Sequence, residues 1–296
     1  MSPTVVAHTR AELSAALTQL RAPGPSGHSR QVALVPTMGA LHEGHRALIA
    51  RAGTVSASVV VSIFLNPLQF APGEDLDRYP KTFDSDFELC RAEGVEVVFA
   101  PTPDVVYPFG EPLVRIAAGP LGAILEGASR PGHFDGVLTV VAKLFGLVRP
   151  DVAVFGEKDA QQLALVSAMV ADLDMGVKIE PVPIVRTRQG LALSSRNVYL
   201  DEKSAVAALA LGAAVRAAAR AGTTGSDAAA VLAAAKATLA AEPGVEVDYC
   251  VLVDPGTFGE LGQGATGGLL LLAARVGTTR LIDNVRVALA APEVSP

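Results

Sequence analysis

Pro36-Thr37-Met38-Gly39-Ala40-Leu41-His42-Glu43-Gly44-His45 follows an apolar run, Val32-Ala33-Leu34-Val35, and leads into a helix-forming one, Arg46 to Ala52. The β-branched content of the first run reads as a buried strand. The two histidines therefore fall where a first strand turns into a first helix. In an open parallel α/β sheet that turn lies at the carboxyl edge, where ligands bind. Gly39 and Gly44 let the backbone pass close to a bound group, and a helix start offers N–H groups to phosphate. His42 and His45 are three apart, so on a helical turn they share a face and can reach one anion. The same pair can equally be surface or capping histidines. A zinc site is a further reading, but no nearby Cys or His supplies its remaining ligands.

Outward from this stretch, strands alternate with helices. Ser58 to Leu65 is a continuous apolar run that reads as a strand buried on both faces. Pro67 cannot donate to a sheet ladder and holds Asn66 extended, so that strand stops there. Helices at Thr82–Glu93, Gly136–Val148 and Ala160–Leu173 are interleaved with strands at Val95–Ala100, Val152–Phe155 and Val177–Val182. A helix over Thr9 to Leu20, with Thr9 and Glu12 spaced as a capping box, and a loop at Pro23-Gly24-Pro25-Ser26-Gly27 precede the series. The pattern predicts an α/β, Rossmann-like doubly wound parallel sheet over residues 1–184. Beyond it, Glu202–Ala221 and Ser226–Ala241 read as Ala-rich helices that bury Leu209, Val215, Val231 and Leu239. Val245–Val253, Gly268–Arg275 and Asn284–Leu289 read as a small antiparallel sheet, making residues 185–296 a smaller C-terminal α+β domain.

A length of 296 residues suits two domains, and a hydrophobic share of 50% is ample for their cores. The net charge of −6 speaks against a nucleic-acid partner, which calls for a basic surface. Met1 to Leu13 has no apolar core of the signal-peptide kind, and no uncharged apolar run reaches the roughly 18 residues of a membrane span. Cys90 and Cys250 stand alone and read as free thiols of a reducing cytoplasm.

Other stretches bring chemistry to the same edge. Lys158, in Gly156-Glu157-Lys158-Asp159, is a cation in a turn after a buried strand. Asp159 and Gln162 have capping-box spacing as an alternative to any ligand role. In Ser194-Ser195-Arg196-Asn197 the serines can make local turn bonds, or join the guanidinium in holding a triphosphate. Gln69 both donates and accepts, which suits a small hydroxy acid, and reads otherwise as a solvated loop residue. Arg130 and His133 are candidates for the cleft wall, and Asp135 for the cap of the next helix. Ala71 to Lys81 reads as a polar, mobile loop beside the cleft. Two histidines, a lysine, an arginine and hydroxyls without a nucleophilic triad suit attack by a carboxylate oxygen on a nucleotide phosphate.

Five ordered segments resemble the pantothenate synthetase family of the H-x-G-H nucleotidyltransferase superfamily. They are Pro36 to His45, Phe64-Leu65-Asn66-Pro67-Leu68-Gln69-Phe70, Glu126 to Phe134, Gly156 to Asp159, and Leu193-Ser194-Ser195-Arg196-Asn197. The resemblance implies a ligase that uses ATP to condense (R)-pantoate with β-alanine, through a pantoyl adenylate, giving pantothenate, AMP and pyrophosphate. It implies that ATP is held by Met38, Gly39, Ala40, Leu41, His42, Glu43, Gly44 and His45, by Gly156, Glu157, Lys158 and Asp159, and by Val185, Leu193, Ser194, Ser195 and Arg196. Gln69, Gln162 and Asn66 would hold pantoate, Gln69 would also adjoin β-alanine, and His45 would be the catalytic proton donor. Mg2+ would enter with ATP rather than on protein ligands, and the chain would be a homodimer joined through its N-terminal domain. Ala160 stands where a tyrosine commonly follows Lys-Asp, and Thr187 and Gln189 replace acidic residues, departures that bear on the pocket's outer wall. Two other readings are a related nucleotidyltransferase acting on a phosphorylated acceptor and a non-catalytic nucleotide-binding protein. Gln69 and Gln162 speak against the first, since such an acceptor wants another cation. His42, His45, Lys158 and Arg196, all present, speak against the second.

Overall fold

Along β2 (Val32–Thr37), Val32 and Leu34 enter one apolar core while Ala33 and Val35 enter another. Along β5 (Val152–Gly156), Ala153 and Phe155 share the first core, and Val152 and Val154 the second. Strands apolar on both sides must be covered on both faces, which is the situation of a parallel sheet flanked by helices. The computed structural model describes residues 3–23, 30–71 and 73–290 and has this arrangement. Gly24 to Gly27 of the loop expected before β2 lie outside the described residues.

The elements are β1 (Val5–Ala7), α1 (Arg10–Leu20), β2, α2 (Glu43–Val55), β3 (Ser58–Ile63), α3 (Phe83–Ala92), β4 (Val97–Phe99), α4 (Pro103–Val106), α5 (Glu126–Ser129), α6 (His133–Val148), β5, α7 (Ala160–Asp172) and β6 (Lys178–Val182). There follow α8 (Glu202–Thr223), α9 (Ala228–Ala240), β7 (Val245–Val253), β8 (Gly267–Val276) and β9 (Thr279–Ala288). Among the described residues the first sheet has the order β1-β4-β3-β2-β5-β6, with every pairing parallel. The strand order reverses between β2 and β5, so the carboxyl ends of these two strands flank the switch point where ligands bind in such folds. The H-x-G-H turn leaves β2 there, and Gly156-Glu157 leaves β5.

Several local expectations need correction. The sheet begins with β1, three residues too short to carry a period, which pairs with β4 far along the chain. The first strand and helix of the chain are therefore β1 and α1, and α1 does carry the Thr9–Glu12 capping box. β3 ends at Ile63, before Leu65. α6 begins at His133 with Gly132 as its N-cap, so Asp135 lies inside the helix, where its carboxylate accepts from the Ala118 amide at 2.7 Å. α7 is entered from a 3₁₀ turn, Glu157–Asp159, so Asp159 sits in helical backbone rather than in the extended conformation an N-cap takes.

The chain divides into two compact units, Met1–Glu157 with Gln161–Pro183, and Lys158–Ala160 with Ile184–Pro296. In the second unit β7, β8 and β9 form an antiparallel sheet in that order. Its core joins Leu211, Val215, Val231 and Leu239 of the Ala-rich helices to Leu270 and Leu272 of β8. α8 is long and apolar enough by composition to cross a membrane. Its apolar face is instead used in this core.

In the first unit α6 approaches the turn after β3 so closely that a Cβ on Gly136 would lie 2.0 Å from the Leu68 carbonyl oxygen. Gly136→Ala should therefore lower stability by about 1–3 kcal/mol, the usual cost of overpacking. Gly146→Ala, on the same helix with open space around it, should gain roughly 0.5–1 kcal/mol. Urea unfolding of the two variants tests this, and equal midpoints would contradict the close approach.

Candidate active site

The turn after β2 is held from outside itself. Gly39 and Ala40 have φ of +87° and +51°, a left-handed conformation that costs a residue with a side chain. Asp86 of α3, 2% exposed, accepts from the Ala40 amide at 2.9 Å and the Leu41 amide at 2.8 Å, and from the Thr82 hydroxyl at 3.2 Å. A Cβ on Gly39 would stand 3.1 Å from the Asp86 carboxylate, so the residue there is small as well as left-handed. Burial pushes the Asp86 carboxyl above its ordinary pKa, against the pull of those three hydrogen bonds. One helical turn on, burial and the Asp86 charge push the Cys90 thiol up to about 12, which makes it an unreactive packing group.

His42 and His45 meet at the start of α2. His42 is the N-cap, its Nδ1 accepting from the Gly44 amide at 3.1 Å, while the Nδ1 of His45 accepts from the His42 amide at 3.3 Å. The capping reading of the pair is thus realised, and it has a chemical consequence. A ring nitrogen that accepts carries no proton, so each neutral imidazole holds its proton on Nε2. The two rings lie 4.2 Å apart between centroids. The amides of Ala40, Leu41, His42 and Gly44 are all bonded within the protein. In this structure those four amides are therefore spent on protein acceptors, whereas the glycine-rich turn suggests free donors.

Gln69 lies in a 3₁₀ turn, Pro67–Gln69, and is 8% exposed, so it is no solvated loop residue. Its Oε1 accepts from Asn66 Nδ2 at 3.0 Å. Asn66 also donates to the Gly136 carbonyl at 3.1 Å and accepts from the Leu68 amide at 3.3 Å and the Tyr107 hydroxyl at 2.9 Å. Those four bonds use the whole capacity of one carboxamide. The Gln69 carbonyl in turn accepts from His133 Nδ1 at 2.8 Å and from Arg130 at 3.2 Å. Arg130 grips Glu74 through two nitrogens, at 2.8 and 2.7 Å, and so ties the Ala71–Lys81 stretch to the base of Gln69. That stretch holds a 3₁₀ turn, Asp75–Arg78, and a buried Tyr79. Gln161 is 4% exposed and bonded to Leu121, Ile124 and Glu126, whereas its half-buried neighbour Gln162 has no hydrogen-bond partner among the described residues.

In the second unit, Val185 accepts from the Leu193 amide at 3.0 Å across a short hairpin closed at Thr187–Gly190. Thr187 helps close it, its hydroxyl accepting from the Leu191 amide at 3.2 Å. Ser194 caps the next 3₁₀ turn, Ser195–Tyr199, by accepting from the Arg196 amide. The local-turn reading of Ser194 is therefore realised. Lys158, half-buried, is 3.9 Å from Asp159, and its carbonyl accepts from Asn284 Nδ2 at 2.9 Å. Arg186, at the base of the hairpin, meets both oxygens of the buried Asp283, at 2.5 and 2.8 Å.

Little in the sequence signals Asp86, Tyr107, Asp283 or Asn284. Asp86 shares a helix face with Cys90, four residues on, and that is its one local sign. The others hold their partners across long chain separations that no spacing reveals.

A parallel sheet whose order reverses beside a histidine-capped helix start is the architecture of a nucleotide-binding α/β enzyme. The family model for pantoate–β-alanine ligase matches residues 5–286. A pantothenate synthetase from Saccharopolyspora erythraea is 57% identical over 287 residues, covering 96% of this chain and 91% of that protein. The solved pantothenate synthetase of Thermus thermophilus superposes with a TM-score of 0.87 at 45% identity, over 95% of this chain and 98% of that one. The pantoate–β-alanine ligase of Francisella tularensis, solved in complex with beta-gamma ATP and beta-alanine, gives 0.77 at 32%, over 95% and 97%. The chain belongs to the pantoate–β-alanine ligase family. These relatives favour neither a transferase acting on a phosphorylated acceptor nor a non-catalytic nucleotide-binding protein.

Removing the Asp86 carboxylate leaves two amides of the H-x-G-H turn unpaired, each at a cost of about 1–3 kcal/mol where water cannot replace it. Asp86→Ala is therefore expected to weaken ATP binding at least tenfold, read by titration calorimetry. An affinity within twofold of the parent would show that the turn keeps its shape without the clamp.

Proposed function

We propose that this ligase works in two half-reactions on one bound nucleotide. A carboxylate oxygen of (R)-pantoate attacks the α-phosphorus of ATP; a P–O bond forms, the bond to pyrophosphate breaks, and pantoyl adenylate remains. The amine of β-alanine then attacks the acyl carbon, the C–O bond to AMP breaks, and the nitrogen gives up a proton, leaving pantothenate. No covalent bond to the protein forms, so the protein contributes position and charge.

In this reading Met38 to His45, Gly156 to Asp159, Val185 and Leu193 to Arg196 are the residues that bind ATP. Residues 1–184 act as the nucleotide- and pantoate-binding domain, and residues 185–296 contribute the Ser-Ser-Arg loop. His45 is the proton donor, and the support for this is its tautomer: with Nδ1 accepting from the His42 amide, the neutral ring's N–H is at Nε2. That fixed donor, beside His42 and at the carboxyl end of β2, is the observation that carries the proposal.

Gln69 and Gln162 hold pantoate, and Gln69 also adjoins β-alanine. The support for Gln162 is its unbonded amide beside Gln161, whose amide makes three hydrogen bonds. Asn66 serves pantoate through Gln69, because its own hydrogen bonds are taken. Mg2+ is read as part of the Mg–ATP substrate. Among the described residues no group of three His, Cys, Asp or Glu side chains could hold a metal ion. A cytoplasmic enzyme fits the two cysteines, which are free and buried. A homodimer joined through the first unit fits the exposure of Phe109, Leu113 and Val114 on one short stretch.

Pyrophosphate–ATP exchange tests the first half-reaction. Exchange should require pantoate and should fall about a hundred- to a thousandfold in His45→Ala and in Lys158→Ala, the usual cost of losing one placed donor or cation. Exchange that ignores pantoate would overturn the substrate assignment, and variants within a few-fold of the parent would remove those side chains from the mechanism. The dimer predicts a mass near twice 30.4 kDa in light scattering, shifting to the monomer in Leu113→Asp. A monomeric parent would end that part.

A further inference from the structure

We propose that Asn284 is a positioning residue for Lys158, and that the Asp283-Asn284 pair on β9 holds two segments of the second unit from one strand: the one that carries Lys158 and the hairpin that precedes Arg196. The inference rests on the reading above that Lys158 meets ATP.

Asp283 and Asn284 are 2% and 6% exposed, on a strand whose partners opposite them on β8 are Leu272 and Leu271. Those opposite residues bring no polar side chain to them. Burying an amide or a carboxylate costs free energy unless hydrogen bonds compensate, and here the compensation comes from outside the sheet. Adjacent side chains on a strand point to opposite faces, so the two reach different segments. Asp283 takes Arg186 at the base of the Val185–Leu193 hairpin, and a third bond runs from Arg186 to the Gly190 carbonyl at 3.2 Å. This fixes the hairpin from which Ser194, Ser195 and Arg196 follow. Asn284 takes the Lys158 carbonyl at 2.9 Å, and its own amide N–H donates to Asp283 at 2.7 Å, locking the pair together.

The division of the chain agrees. Lys158–Ala160 group with Ile184–Pro296, although the residues on both sides of them belong to the first unit. A lysine side chain is a flexible four-carbon stem whose ammonium is only as well placed as its backbone. A donor on the Lys158 carbonyl removes freedom at its root without spending the charge. Asn284 therefore acts on ATP at second hand, by fixing where the Lys158 stem begins.

The test is a double-mutant cycle on the full chain, read as ATP affinity by titration calorimetry for the parent, Asn284→Ala, Lys158→Ala and the double variant. Asn284→Ala should weaken ATP at least fivefold in the parent and by less than twofold once Lys158 is gone. Thermal unfolding is recorded alongside, since a merely structural Asn284 would lower the melting temperature and leave the two effects additive. Asn284→Asp is the second variant, nearly isosteric but unable to donate to a carbonyl, and it should match the alanine variant in affinity. Should Lys158→Ala bind ATP as the parent does, the Lys158 reading itself fails. Should Lys158→Ala lose affinity while both Asn284 variants keep it, or should the losses add, the positioning role is overturned and the reading of the site stands.

Discussion

A carboxylate out of water must find donors, and Asp86 finds its own in the backbone of the H-x-G-H turn. That one compensation orders much of what lies around it. The Ala40 and Leu41 amides are drawn to α3, the chain takes the left-handed step at Gly39 and Ala40, and α2 then starts where His42 can cap it. The cap sets the tautomers of both imidazoles. A helix on one side of the sheet thus decides which nitrogen of a histidine carries a proton.

The same economy of means recurs at the second cluster. Asn66 has no hydrogen-bonding capacity left, and all of it goes into fixing a short turn against α6 and presenting Gln69. Arg130 and His133, which the sequence suggested as walls of the cleft, hold the Gln69 backbone from below, and Arg130 anchors Glu74 as well. Residues that look like ligands in a motif here spend hydrogen bonds on the protein itself.

The fold was legible because β2, β3 and β5 are runs largely buried on both faces, with a helix following each before the next strand. β1 was missed since three residues carry no period, and its pairing with β4 is a fact of tertiary structure. Local geometry was legible where the partners are close in the chain: His42 with His45, and Ser194 with the Arg196 amide. It was illegible where a partner comes from far away, as Asp86 does for Ala40 and Asn284 for Lys158. The capping assigned to Asp135 and Asp159 failed for a related reason. Spacing shows that a carboxylate stands near a helix start, but the actual start, three residues earlier for α6 and behind a 3₁₀ turn for α7, is set by packing.

β6 forms one border of the parallel sheet, and its composition differs from that of its neighbours. Lys178 and Glu180 lie along it, 3.0 Å apart in an ion pair that Arg51 of α2 joins, and Pro181 brings no amide hydrogen to the strand. A sheet border is where a foreign strand could add itself and begin a fibre. Charge and a missing donor make this one a poor template. The protein can thus carry a valine-rich sheet at its centre without inviting other chains to extend it.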